Sequence, residues 1–97
     1  MKHPKGIKFP FYRKYEIVTS LEHSDYPKYR RDDWKDGKII VWEIEIYGKN
    51  DVGIFKAEQD YFDRYTGKPS TEMEFNDALK KVKKFLDKFL NHQNIQV

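Results

Sequence analysis

The C-terminal part of the chain carries an apolar pattern that only one kind of element satisfies. Its apolar residues recur at intervals of three and four, so they fall within an arc of about 140° on one side of an α-helix. Thr71 and Glu74 form a T-x-x-E capping box where the pattern starts. The sequence therefore predicts a helix over residues 71–92, with one face that another layer must cover. That face consists of Phe75, Ala78, Leu79, Val82, Phe85, Leu86, Phe89 and Leu90.

Residues upstream of the helix carry the alternating pattern of β-strands, and these strands can supply the second layer. Residues 38–47 alternate apolar and polar side chains, as expected of a central strand with one face toward a core. Its apolar positions are Ile40, Trp42, Ile44 and Ile46. The neighbouring segments predict a hairpin turn at 48–51, a returning strand at 52–59 and a third strand at 12–21.

Two further segments complete the prediction. Residues 22–37 are polar and highly charged, which predicts a long loop, and loops of this length are often functional. Residues 60–67 fit either a further strand or a short helical turn. The predicted fold is α+β: an antiparallel sheet of three or four strands within residues 15–67, with one amphipathic helix packed on one face. A chain of 97 residues fits a single domain spanning 1–97.

The positive charge is concentrated at the start of the chain. The net charge is +3, yet residues 1–14 hold five basic side chains and no acidic one. The rest of the chain is therefore slightly acidic. Pro4, Gly6 and Pro10 oppose helix formation, so residues 1–14 predict an extended basic arm.

The chain has more aromatic residues than a two-layer core needs. Seven Phe, seven Tyr and two Trp are present, and Trp42 with the helix stripe nearly fills one layer. The surplus rings either cover the sheet edges and the loop, or form a surface that binds another molecule. They are Phe9, Phe11, Tyr12, Tyr26, Tyr29, Trp34, Tyr61, Phe62 and Tyr65.

No motif in the sequence supports catalysis. There is no cysteine, and His3, His23 and His92 are too far apart for a histidine metal motif. Glu43 and Glu45 share one strand face, where cross-strand ion pairs explain them better than a metal site does. We therefore expect a non-enzymatic protein without cofactor or metal. The longest apolar run has four residues and residues 1–7 precede no apolar stretch, so we expect no membrane segment, no secretory signal and a cytoplasmic protein.

Two functions fit these observations. The first is nucleic-acid binding, with single strands as one candidate target. Basic side chains would contact phosphates, and aromatic rings would stack on bases. The second is a protein-binding regulator or inhibitor, such as a phage or mobile-element accessory protein. Such a protein would bind an acidic surface of a host protein and block it. A homodimer through the open sheet face is compatible with either. The predicted contact residues are Lys5, Lys8, Phe9, Phe11, Tyr12, Arg13, Lys14, Tyr26, Lys28, Tyr29, Arg30, Arg31 and Trp34.

Overall fold

A computed structural model describes residues 1–17, 26–46 and 52–95 of the chain. Its elements form one antiparallel five-stranded sheet in the order β4-β3-β2-β1-β5, followed by one helix. The α+β class and the C-terminal helix are confirmed, and the helix ends three residues later than predicted. The elements are β1 (Phe11–Ile17), β2 (Tyr26–Lys35), β3 (Lys38–Ile46), β4 (Val52–Gln59), β5 (Lys68–Pro69) and α1 (Glu72–Ile95). The predicted turn at 48–51 lies outside the described residues.

The prediction of a loop over residues 22–37 is wrong, because Tyr26–Lys35 forms β2, a strand between β1 and β3. Its charged residues fit a strand because they neutralise one another on each face. Arg30 bonds Asp32 on one face, and Arg31 bonds Asp33 on the other. The strand count is therefore five, including the two-residue β5, rather than three or four.

The prediction of an extended arm over residues 1–14 is also wrong. Residues from Phe11 onward belong to β1, which pairs with β2 along its whole length. The residues before it lie against the domain. The Met1 amino group donates to the Gly37 carbonyl over 2.9 Å, and Arg64 donates to the carbonyl of Lys5 over 3.3 Å.

Strand β3 is buried on both of its faces, but at different ends. Ile44 and Ile46 are buried beneath α1, together with Val82. Ile39 and Val41 are also buried, and strand alternation directs them to the opposite face. The helix therefore covers one end of one face. The N-terminal segment and the residues after β4 lie on the other face.

Helix α1 crosses the sheet obliquely from β1 toward β4. Thr71 caps its start by accepting from the Glu74 N–H over 3.1 Å, while the Glu74 side chain pairs with Lys14 of β1. The Phe75 ring also meets β1, at Tyr12, and the core beyond it includes Val52 of β4. Three strand spacings cover about 14 Å, whereas 24 helical residues extend for about 36 Å. The helix therefore continues past the edge of the sheet.

Candidate protein-binding surface

Several aromatic residues predicted to bind a partner pack against one another instead. The Phe62 ring lies 5.4 Å from the ring of Phe9 and 5.2 Å from that of Phe11, both edge-on. The His3 ring lies 5.1 Å from the ring of Trp34. These rings, half-buried except for the exposed His3, form an aromatic cluster on the sheet face opposite α1, which uses most of the stacking surface that unpaired bases would need.

Two predicted cationic contacts, Arg13 and Arg30, are buried on the same sheet face, with Arg13 against the rings of Phe11 and Phe62. Arg13 donates to Asp32 over 2.5 Å and Arg30 donates to the same carboxylate over 2.6 Å. Arg13 also donates to the backbone carbonyls of Asp63 and Thr66. Burial disfavours the charged form of Arg30, but the hydrogen bond to Asp32 and the nearby negative charges, Asp32 foremost, together outweigh it and raise the pKa of Arg30. Both guanidinium groups are therefore committed to the interior.

Other predicted contacts are engaged in ion pairs on the sheet. Lys28 bonds Glu45 over 2.9 Å and Glu43 over 3.4 Å, so the glutamate pair carries cross-strand ion pairs as expected. Burial opposes the charge of Lys28, but the bonds and negative charges of the two glutamates together raise its pKa. Arg31 bonds Asp33 over 3.0 Å, and Lys14 bonds Glu74 over 2.9 Å.

The remaining predicted residues do not form a common surface. Tyr12 and Tyr29 pack against the core beneath α1, where burial raises the pKa of the Tyr12 phenol. Lys5 and Lys8 are exposed, near the aromatic cluster on the opposite face. The Tyr26 side chain lies outside the described residues. The structure therefore divides the predicted set between two faces of the sheet.

Half of the apolar stripe of α1, all of which was predicted to lie in the core, is exposed to solvent. Leu79, Leu86, Phe89 and Leu90 are 40%, 48%, 52% and 55% exposed. Burial along the helix ends at Val82, with Phe85 half-buried. We call residues 86–92 the overhang, because this part of α1 lies past the sheet. The signal was present in the sequence: a 16-residue stripe is about 24 Å long, more than the width of a three-stranded sheet.

The edge strand β4 presents a second unpartnered surface. Its inner side pairs with β3, and no described element pairs with its outer side. It contains no proline, one of the residues that protect an edge, and its charged residues are limited to Lys56 and Glu58. Ile54 and Phe55 point to opposite faces and are 46% and 53% exposed. Such an edge is a template for a further strand.

A depression of about 490 Å³ lies at the end of the sheet that α1 leaves uncovered. Ile40 and Trp42 of β3 lie on the same face as α1 and contribute its apolar part. The Lys56 ammonium lies 5.3 Å from the centre of the Trp42 ring. The other lining residues are Asp33, Trp34, Lys35, Asp36, Lys38 and Glu58, so the charges of the lining balance.

The solvent side of α1 is strongly basic. Between residues 78 and 92, five lysines face one acidic residue, Asp87. These lysines are exposed and follow the apolar stripe along the helix. They are Lys80, Lys81, Lys83, Lys84 and Lys88. A surface on which exposed apolar side chains lie beside lysines favours a partner with acidic side chains.

Comparisons with known proteins supply no identity: no family model matches the chain, and no curated protein or solved structure is significantly similar to it. Among the described residues, no cluster of three or more potential metal ligands occurs. Within the same part of the chain, no helix has both the length and the apolar character to cross a membrane.

Proposed function

We propose that this protein is a non-enzymatic protein-binding module, whose partner adds an extended segment to the outer edge of β4 beneath the overhang of α1. The observation that carries the proposal is the exposure of the apolar side chains of the overhang, together with a strand edge that no described element pairs with.

The backbone of β4 supplies the first part of this interaction. An edge strand exposes N–H and C=O groups that an incoming strand can pair with, and these bonds provide affinity independent of sequence. Val52–Gln59 offers eight residues for such pairing. Ile54 and Phe55 add apolar contact on the two faces.

The overhang supplies the second part. A strand added to β4 would lie under α1, where side chains such as Leu86 and Phe89 could cover one of its faces. Burying an apolar side chain stabilises a complex by about 1.5–3 kcal/mol. This cover distinguishes the site from a bare edge strand, on which an added strand would keep both faces in water.

The charge on α1 indicates the chemistry of the partner. Lys83, Lys84 and Lys88 lie on or beside the overhang, so acidic side chains in the bound segment would be favoured. The nucleic-acid alternative would use the same lysines, but it lacks the stacking surface that the aromatic cluster was expected to provide.

A peptide-display selection tests the proposal. Random extended peptides are selected on the wild-type protein, and their dissociation constants are measured by fluorescence anisotropy. We expect selected peptides to be acidic and rich in β-formers, and to shift the amide resonances of Val52–Gln59. The double variant Leu86→Ser/Phe89→Ser should lose at least about tenfold in affinity, which corresponds to about 1.4 kcal/mol.

The matched control is Met73→Ser, which removes an exposed apolar side chain from the opposite end of the same helix. It should bind the selected peptides like the wild type. Equal peptide affinities of the overhang variant and the wild type would overturn the proposal. Binding of a labelled oligonucleotide but of no peptide would favour the nucleic-acid alternative.

A further inference from the structure

We infer that, in the absence of another partner, a second copy of this chain occupies the β4 edge in a two-fold dimer. This inference rests on the proposed function, since it uses the same edge and the same overhang. It adds that self-association and partner binding exclude each other.

Each chain carries both halves of a self-complementary contact. The overhang protrudes past the outer edge of β4 near Val52, which packs against the core beneath α1. The depression lies toward the Glu58 end, on the same sheet face. A two-fold axis perpendicular to the sheet, just outside the middle of β4 and midway between the two paired strands, reverses the strand direction and keeps each face on its own side. The overhang of one chain then lies over the depression of the other, on the apolar floor of Ile40 and Trp42.

The charges favour this arrangement over direct contact between the two helices. Helix-to-helix packing would bring two lysine-rich surfaces together, which is unfavourable. The lining of the depression is balanced in charge and includes the carboxylates of Asp33, Asp36 and Glu58. A basic helix end can therefore approach the depression more readily than it can approach another copy of itself.

The same symmetry restricts the strand register. Paired residues must point to the same face of the sheet. The residue of β4 beside the axis therefore pairs with the same residue of the second copy. An axis at Lys56 would place two ammonium groups opposite each other, which destabilises a strand pair. An axis at Phe55 pairs residues 52–58 of both copies. It places Val52 opposite Glu58 of the second copy and the two Phe55 side chains opposite each other, on the face away from α1.

Cysteine cross-linking tests this register directly, because the natural sequence contains no cysteine. In Phe55→Cys the two Cα atoms would lie about 4.5–5.5 Å apart, within reach of a disulfide. In Ala57→Cys the two sites would be about 14 Å apart, beyond reach. We expect mild oxidation to link Phe55→Cys into a dimer and to leave Ala57→Cys monomeric. Equal cross-linking of both variants would overturn the inference.

Sedimentation of the wild-type protein gives a second readout that does not depend on a substitution. We expect a concentration-dependent dimer that the variant Leu86→Ser/Phe89→Ser weakens and Met73→Ser does not. A strictly monomeric wild type would overturn the inference. If such a monomer still bound the selected peptides at β4, the proposed function would stand. A dimer with the expected cross-link that bound no peptide would support the inference and overturn the proposed function.

Discussion

Arg13 and Asp32 form an ion pair of 2.5 Å in which the two side chains are only 2% and 0% exposed. Arg30 lies two residues before Asp32 on β2, on the same face, and bonds the same carboxylate, so one acid serves two guanidinium groups. The three residues join β1 to β2 on the face opposite α1. Because water does not reach them, each charge depends on the others for its stabilisation.

Removing Asp32 should therefore destabilise the protein strongly. Asp32→Ala leaves two buried guanidinium groups without their shared carboxylate, and breaking a buried pair in this way costs about 3–5 kcal/mol. Denaturant unfolding measures the loss. Asp33→Ala is the matched control, because its bond to Arg31 is partly exposed to solvent and should contribute about 1 kcal/mol or less. Similar losses of stability in both variants would show that Asp32 does not stabilise the two buried guanidinium groups.

The aromatic cluster on the same face should also contribute to the stability of the protein. Phe62→Ala removes the ring that contacts both Phe9 and Phe11. We expect a loss of about 2 kcal/mol, below the 3–5 kcal/mol typical of a fully buried Phe. Tyr61→Ala is the control, because the neighbouring Tyr61 ring is exposed, and should change stability by no more than about 0.5 kcal/mol. An unaffected Phe62→Ala would mean that the N-terminal segment does not depend on this cluster.

The parts of the fold that depend on local pattern were predictable from the sequence. The helix predicted from the apolar periodicity and the cap at Thr71 involve residues within a few turns of one another, and both are confirmed. The alternation of β3 and its pairing with β4 were predictable for the same reason.

Strand β2 was missed because its stability comes from partners distant in sequence. Arg30 and Asp32 have the composition of a solvated loop, and only the approach of Arg13 from β1 makes them interior residues. A local signal was nonetheless available. Asp36-Gly37 is a favoured hairpin dipeptide, and both residues adopt the positive φ that such turns require. The candidate binding surface was missed because apolar periodicity reports a helix face without reporting whether a sheet lies under its full length.

Gly67 provides a prediction about the approach of β5 to β1. Its φ is +84°, and a Cβ there would lie 2.8 Å from the Tyr15 ring. Gly67→Ala should therefore lower the free energy of unfolding by about 2 kcal/mol or more, because alanine disfavours the left-handed conformation and its Cβ would clash with the Tyr15 ring. Gly6 is the matched control, since its φ is +73° with no atom within 4 Å of a Cβ. Gly6→Ala should lose only about 1 kcal/mol, and thermal unfolding of both variants checks the difference.

Asp63 should make stability depend on pH. Its carboxylate accepts from the Thr66 hydroxyl and from the Tyr65 N–H, and these bonds lower its pKa below the ordinary value of 3.8. Because the folded-state pKa is the lower one, the stabilisation is complete above the unfolded-state value and is lost as the pH falls through the folded-state value.

Asp63→Ala should consequently be less stable than the wild type at neutral pH, and the difference should shrink as the solution is acidified. Urea unfolding from neutral pH down to about pH 3 follows this change. Asp60→Ala, which removes an exposed carboxylate just after β4, controls for the change in net charge. If the stability gap between the two variants stayed constant across the series, the hydrogen bonds to Asp63 would not be the source of its contribution. If this stability difference instead disappears in acid, the ionised carboxylate of Asp63 is what stabilises the segment between β4 and β5.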